Sequence, residues 1–130
     1  TFKKQSWIDA FIDVECVGNG DSLIAMGGKR FPMLWQIMAN NDSIYTQYLT
    51  HQYESYPTAD ARAFTKIGIP SLTLTTIGGN RYPHVPSDIP ENVDRALITK
   101  AANLLFNTII ELANGDYQGR SEESRYFMKP

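Results

Sequence analysis

Runs that favour strand alternate with stretches of helical periodicity along the chain, and a chain ordered in this way buries its strands beneath its helices. The strongest strand signal is residues 69–77, rich in Leu, Ile and Thr. The strongest helix signal is residues 92–114. There Leu97, Ala101, Leu104, Leu105, Ile109 and Leu112 fall on one stripe before Gly115. Residues 78–90, between the two, form a loop rich in Gly and Pro. Upstream, residues 7–17 read as a strand region, 18–21 as a turn and 22–26 as a second, short strand. Phe31, Leu34, Trp35 and Met38 recur at helical spacing, and Pro32 suits a first turn. Residues 41–57 lack a clear period and read as part helix, then loop. Thr58 is placed to cap a short helix with Ala61, Phe64 and Ile67 on one face and Gly68 at its end. The fold class that follows is α/β. The polar tail, 116–130, reads as loosely ordered, with Tyr126, Phe127 and Met128 as the groups able to dock.

Composition narrows the function. The chain has 130 residues and is 42% hydrophobic, which fits one globular domain or part of one and excludes disorder. Its net charge of -2, with no long run of either sign, argues against nucleic acid as a partner, which needs a clustered basic face. No stretch reads as the roughly 20 apolar residues of a membrane span. No signal-peptide pattern opens the chain, and its first residue is Thr, so it reads as processed or cut from something longer. Cys16 is the single cysteine, which excludes an intramolecular disulfide and a cysteine zinc cluster. In an apolar run it reads as a small buried residue.

Three places carry chemistry. Asp13 and Glu15 stand two apart in a strand and therefore share a face. Two carboxylates on an otherwise apolar strand either look out to solvent or are paired or metal-bound. His84 lies in the loop after the strongest strand, stiffened by Pro83 and Pro86, with Asp88 four residues on. It reads either as an ordinary loop histidine or as a metal ligand that Asp88 orients. Asp60 stands near the start of the short helix, where the helix dipole favours a carboxylate whether or not it has a functional role. His51 has no supporting neighbours and reads as a surface or pocket-rim residue.

The order of these segments resembles the zinc exopeptidases of the M28 (aminopeptidase) family. Its members carry a strand reading roughly Asn-Leu-Asp-Met-Ile-Gly, and later a Ser-Asp-His-x-x-Phe motif followed by Gly-Ile-Pro and a strand. His-Thr-x-x-Asp-Thr then leads into a long final helix. Here the matching segments are Asp13-Val14-Glu15-Cys16-Val17-Gly18, Ala59-Asp60-Ala61-Arg62-Ala63-Phe64 and Gly68-Ile69-Pro70-Ser71-Leu72. His84-Val85-Pro86-Ser87-Asp88-Ile89 then precedes the helix. The resemblance implies a three-layer α/β/α sheet of the zinc-exopeptidase type, with residues 1–115 as its C-terminal half. It implies Glu15 and His84 as ligands of one zinc, in a complete domain holding one or two zinc ions. Asp60 and Asp88 would brace the site. Asp13 would support it too, or replace Glu15 as ligand if the register shifts.

Departures from the family pattern bear on function. Glu15 stands where the family has Asp, Ala61 replaces the motif histidine, and Val85 and Ile89 replace threonines. The family's general-base glutamate and its remaining ligands belong to a region N-terminal to the match, so no catalytic residue is assigned within these 130. The activity implied for the parent is hydrolysis of the N-terminal peptide bond of a peptide substrate, with the isolated chain inactive. The alternatives are a glutaminyl-cyclase-like aminoacyl transferase and a non-catalytic binding or dimerisation module that kept the fold. Surface left by a missing half is expected to favour self-association. The family resemblance allows a secreted or periplasmic location.

Overall fold

The computed structural model describes residues 8–45, 49–52, 56–78, 84–119 and 123, with backbone alone at 43–45 and 49–52. Four strands, β1 (Phe11–Val14), β2 (Ser22–Met26), β3 (Leu49–Gln52) and β4 (Ser71–Ile77), form one mixed sheet in the order β1-β4-β2-β3. β4 runs parallel to β1 and antiparallel to β2, and β3 runs parallel to β2. The helices are α1 (Pro32–Tyr45), α2 (Ala61–Lys66) and α3 (Arg95–Asn114), with a 3-10 turn at Pro90–Asn92 ahead of α3.

Strand parity sorts the helices into layers. Ile12, Leu72, Leu74, Leu23 and Ala25 fall on one face of the sheet and pack with Phe31, Leu34, Trp35 and Met38 of the α1 region and Leu97, Ala101 and Leu104 of α3. Phe11, Asp13, Ser71 and Thr73 fall on the other face, which α2 covers. There the Phe11 and Phe64 rings stack with centroids 3.7 Å apart. The architecture is thus three layers, with α2 on one side of the sheet and α1 and α3 on the other. The expected β4 takes the central place because its Leu and Thr side chains are buried on both faces.

Several polar groups inside the core are paired. Trp35 Nε1 donates to the Ala25 carbonyl at 3.0 Å. Asn41 Nδ2 donates to Glu111 Oε2 at 2.6 Å, tying α1 to α3. At the start of α1, Leu34 N donates to Oε1 of fully buried Glu123 at 2.8 Å, which supplies an acceptor that a first-turn amide otherwise lacks.

Several sequence expectations shift. The first strand is shorter than 7–17, and Trp7 lies outside the described residues. β3 arises within 41–57, where no strand was expected; its backbone pairs with β2, and the side chain of His51 lies outside the described residues. The buried stripe of α3 runs Leu97, Ala101, Leu104, Thr108, while Leu105 is half-buried and Ile109 exposed, so the stripe is rotated by about one position. Thr108 tolerates burial because its hydroxyl donates to the Leu104 carbonyl at 2.7 Å. The tail is not uniformly loose: Tyr117 packs against the core and Glu123 enters it, while residues 126–128 lie outside the described set. Among the described helices α3 alone is long and apolar enough to cross a membrane by length and composition. Here its core-facing side packs against α1 and the sheet.

Candidate functional site

β1 and β4 are adjacent parallel strands, so their carboxyl ends lie together, the place where open α/β sheets present ligand loops. Glu15 follows the last residue of β1, and its amide donates to the Leu74 carbonyl at 3.0 Å, prolonging the ladder by one step. The segment carrying His84 and Asp88 follows β4, and Asp88 N donates to the Val85 carbonyl at 3.0 Å to close a turn. The two connections interlock. Asp94 N donates to the Gly18 carbonyl at 2.7 Å, and Asn19 Nδ2 to the Asn92 carbonyl at 3.2 Å. Thr76 Oγ1 donates to the Cys16 carbonyl at 2.7 Å, fixing the turn from below. Gly18 lies against Val93 and Ile98, where a Cβ would come within 3.2 Å of Val93 Cγ1.

Among the described residues three non-glycines have left-handed backbone: Cys16 (φ 52°), Ala59 (φ 46°) and His84 (φ 62°). Each is in, or next to, a candidate site residue: Glu15, Asp60 and His84 itself. Such conformations cost about 1–3 kcal/mol apiece and persist where surrounding structure imposes them.

The carboxylates divide into two groups. Asp13 Oδ2 accepts from Asp60 N at 3.1 Å and from Ala61 N at 3.4 Å, so Asp13 serves the amino end of α2. Asp60 is the capping residue by position, but its side chain makes no cap bond. Thr58 is not the cap either: Thr58 N donates to Thr73 Oγ1 at 2.9 Å, and the Thr73 hydroxyl donates back to the Thr58 carbonyl at 3.0 Å. Glu15 and Asp88 form the second group, and both bear on Cys16. Partial burial first, then the negative charges of Glu15 and Asp88, push its thiol pKa up. Cys16 is exposed rather than buried, because the left-handed turn at this residue swings it out of the strand. The expectation of a small buried residue is thereby corrected; the signal was its place two residues before the turn at Gly18.

The charges of Glu15 and Asp88 are thus both felt at Cys16, while Asp13 is joined to the backbone at Asp60. A zinc site of the catalytic kind takes carboxylate and imidazole donors, three from the protein. Glu15 and His84 fit in kind. In number they fall short, since among the described residues no group of three His, Cys, Asp or Glu side chains is placed to hold a metal.

If Asp13 is a helix support rather than a ligand, Asp13→Ala should cost about 1 kcal/mol of stability in a denaturant melt, as cap deletions do, and leave zinc affinity unchanged. A loss of zinc binding with stability intact would reverse the assignment.

The pattern that defines peptidase family M28 matches residues 2–109. No curated protein matches the chain. Among solved structures the chain is similar to BSAP, a zinc aminopeptidase from Bacillus subtilis, with a TM-score of 0.68 at 14% identity. The likeness covers 86% of this chain and 30% of that one, so the chain spans well under half the length of the aminopeptidase it resembles. At that identity the likeness speaks for the fold, in agreement with the mixed sheet and its helices. The family match extends over most of the sequence, and the chain belongs to peptidase family M28.

Proposed function

We propose that this chain is the part of a zinc-dependent exopeptidase domain that contributes Glu15 and His84 to one metal ion, the remaining ligands and the general base coming from elsewhere in a longer protein. The observation that supports this reading is that Glu15 follows β1 at the end it shares with parallel β4, and that the connection carrying His84 and Asp88 is tied to the turn after Glu15 by the Asp94–Gly18 and Asn19–Asn92 bonds. The engagement of Asp13 with α2 supports Glu15 as the ligand. Asp88 would orient His84, and Asp60 would brace the loop below. Bound zinc would polarise a scissile carbonyl and acidify a water. The chain's own part is to hold a carboxylate and a neutral imidazole where the ion can reach them. The substrate class is a peptide with a free N-terminus.

The 130 residues alone are expected to show no aminopeptidase turnover. Two protein ligands leave zinc weakly held, and without a positioned base the proton-transfer contribution of roughly 10²–10⁴-fold is forfeited. The assay is purified protein against a panel of aminoacyl chromogenic substrates, with and without zinc. Turnover abolished in both Glu15→Ala and His84→Ala would overturn the claim of inactivity. Absence of zinc binding at any concentration, unchanged by either substitution, would instead favour the non-catalytic module, a reading to which Ala61 lends weight. That alanine is fully buried at the start of α2, where the family motif has histidine.

On the side of α3 away from the core, Ile98, Phe106, Ile109 and Ile110 are exposed, Phe106 at 63%. The rest of the peptidase domain is the occupant that suits this face in the longer protein, since the aminopeptidase neighbour is far longer than this chain. In its absence a second copy should take the place. Sedimentation of the isolated chain should depend on concentration and become monomeric in Phe106→Ser/Ile110→Ser. A wild-type chain that stays monomeric throughout would remove this proposal.

A further inference from the structure

The tripeptide Asn-Gly-Asp occurs twice, at Asn19-Gly20-Asp21 and at Asn114-Gly115-Asp116. An asparagine followed by glycine carries its own nucleophile, because the glycine amide nitrogen can reach the Asn side-chain carbonyl and no Cβ stands in the way. The fold treats that nitrogen differently in the two copies. Gly115 N donates to the Glu111 carbonyl at 2.8 Å and closes the end of α3. Gly20 N donates to no acceptor among the described residues, although Asp21 N beside it donates to the Ile77 carbonyl at 2.8 Å. Gly20 lies in the turn between β1 and β2 with φ of +136°, and Asn19 and Gly20 are both partly exposed, so water reaches them. The side-chain amides do not separate the two copies: Asn19 Nδ2 donates to the Asn92 carbonyl at 3.2 Å, and Asn114 Nδ2 to the Ile110 carbonyl at 2.9 Å. In each case the bond engages the nitrogen that would leave and not the carbon that would be attacked.

We propose that Asn19 is a site of non-enzymatic modification, converted through a succinimide to aspartate and isoaspartate, while Asn114 is protected by the fold. Gly20 N gives its proton to a solvent base and bonds to Asn19 Cγ. The Cγ–Nδ2 bond breaks and ammonia leaves. Water then opens the ring, at Cγ to give aspartate or at the main-chain carbonyl to give isoaspartate. One water enters and one ammonia departs, with no change of oxidation state. At Asn114 the same step needs the capping bond of Gly115 to break first, which unwinds the end of α3. Conversion of Asn19 replaces the donor that faces the Asn92 carbonyl with a carboxylate oxygen, so acceptor meets acceptor and the tie is lost. In the isoaspartyl form the main chain also runs through the side-chain carbon, which lengthens the turn. Loosening of the candidate metal site with age would follow, a consequence that rests on Glu15 and His84 being its ligands; the modification itself does not rest on that reading.

The test is incubation of the full chain in mildly alkaline buffer without zinc, once folded and once in denaturant, followed by tryptic digestion and mass spectrometry. Asn19 and Asn114 fall in different tryptic peptides, so the amide-to-acid mass change is read separately for each. Isoaspartate is confirmed by enzymatic methylation with an isoaspartyl methyltransferase. In the folded chain Asn19 should convert about fivefold or more faster than Asn114, the factor expected when one nitrogen must first give up a hydrogen bond. In denaturant the two rates should converge, because both asparagines sit in the same tripeptide. A smaller ratio in the folded chain, a ratio that persists unchanged in denaturant, or an Asn19 that stays intact when folded while the denatured chain is modified would each overturn the proposal. None of these readings involves metal, so they are separate from any failure of zinc binding.

Discussion

Leu104→Ala should lower stability by about 2–5 kcal/mol in a denaturant melt, and Leu105→Ala by well under 2, although the two leucines are neighbours on the same helix. Leu104 is fully buried in the cluster that joins α3 to α1 and to β2 and β4. Truncating it leaves a cavity bounded by close-packed neighbours that relax only in part. Leu105 is half-buried on the flank of α3, where it lines an open groove with Ile12 and Leu112. Its truncation removes contacts at the edge of that groove and opens no enclosed void. Equal losses at the two positions would mean that the buried stripe is centred one residue further on.

Gly27→Ala is the second change expected to be severe, about 2–4 kcal/mol from strain and overlap together. Gly27 has φ of +119°, a region that residues with a Cβ rarely adopt. An added Cβ would meet the Ser71 carbonyl at 2.9 Å and Pro57 Cγ at 2.9 Å. The first of these is backbone of the central strand and has little freedom to yield. The Gly27 carbonyl also accepts the amides of Arg30 and Phe31 at 3.1 and 2.9 Å, so any shift of this residue reaches the entry to α1. A variant that melts within about half a kcal/mol of the parent would show that the sheet end is looser than its geometry here.

The elements that sequence reasoning located are those whose signal is local. The periodicity of Phe31, Leu34, Trp35 and Met38 and the β-rich run ending at Ile77 each depend on a few neighbouring residues, and each element formed where expected. What escaped depends on distant partners. β3 is four residues with no internal pattern, specified by the β2 backbone beside it. Thr108 replaces Ile109 in the buried stripe because a hydroxyl that bonds to its own helix is buried cheaply, which periodicity of apolar residues does not register. Glu123 reads as a solvent-facing charge in a polar tail until the amide end of α1 is placed against it. At the candidate site, the motif order brought Glu15, His84 and Asp88 to attention. The different role of Asp13 is decided by the hydrogen bonds to α2, and the exposure of Cys16 by a left-handed φ.

The connectivity of the sheet has a kinetic consequence. Thr76 in β4 reaches back 60 residues to hold the turn at Cys16, and Leu34 at the head of α1 waits for an acceptor 89 residues later. Contacts of such long range must bear the cost of loop closure before they contribute, which places chains like this among the slower folders. During synthesis from the amino end, the pairing of β1 with β4 waits until β4 emerges, and the packing of α3 against α1 comes later still. The turn after Glu15 and the connection that carries His84 are therefore joined, through Asn92 and Asp94, in one of the later steps of assembly.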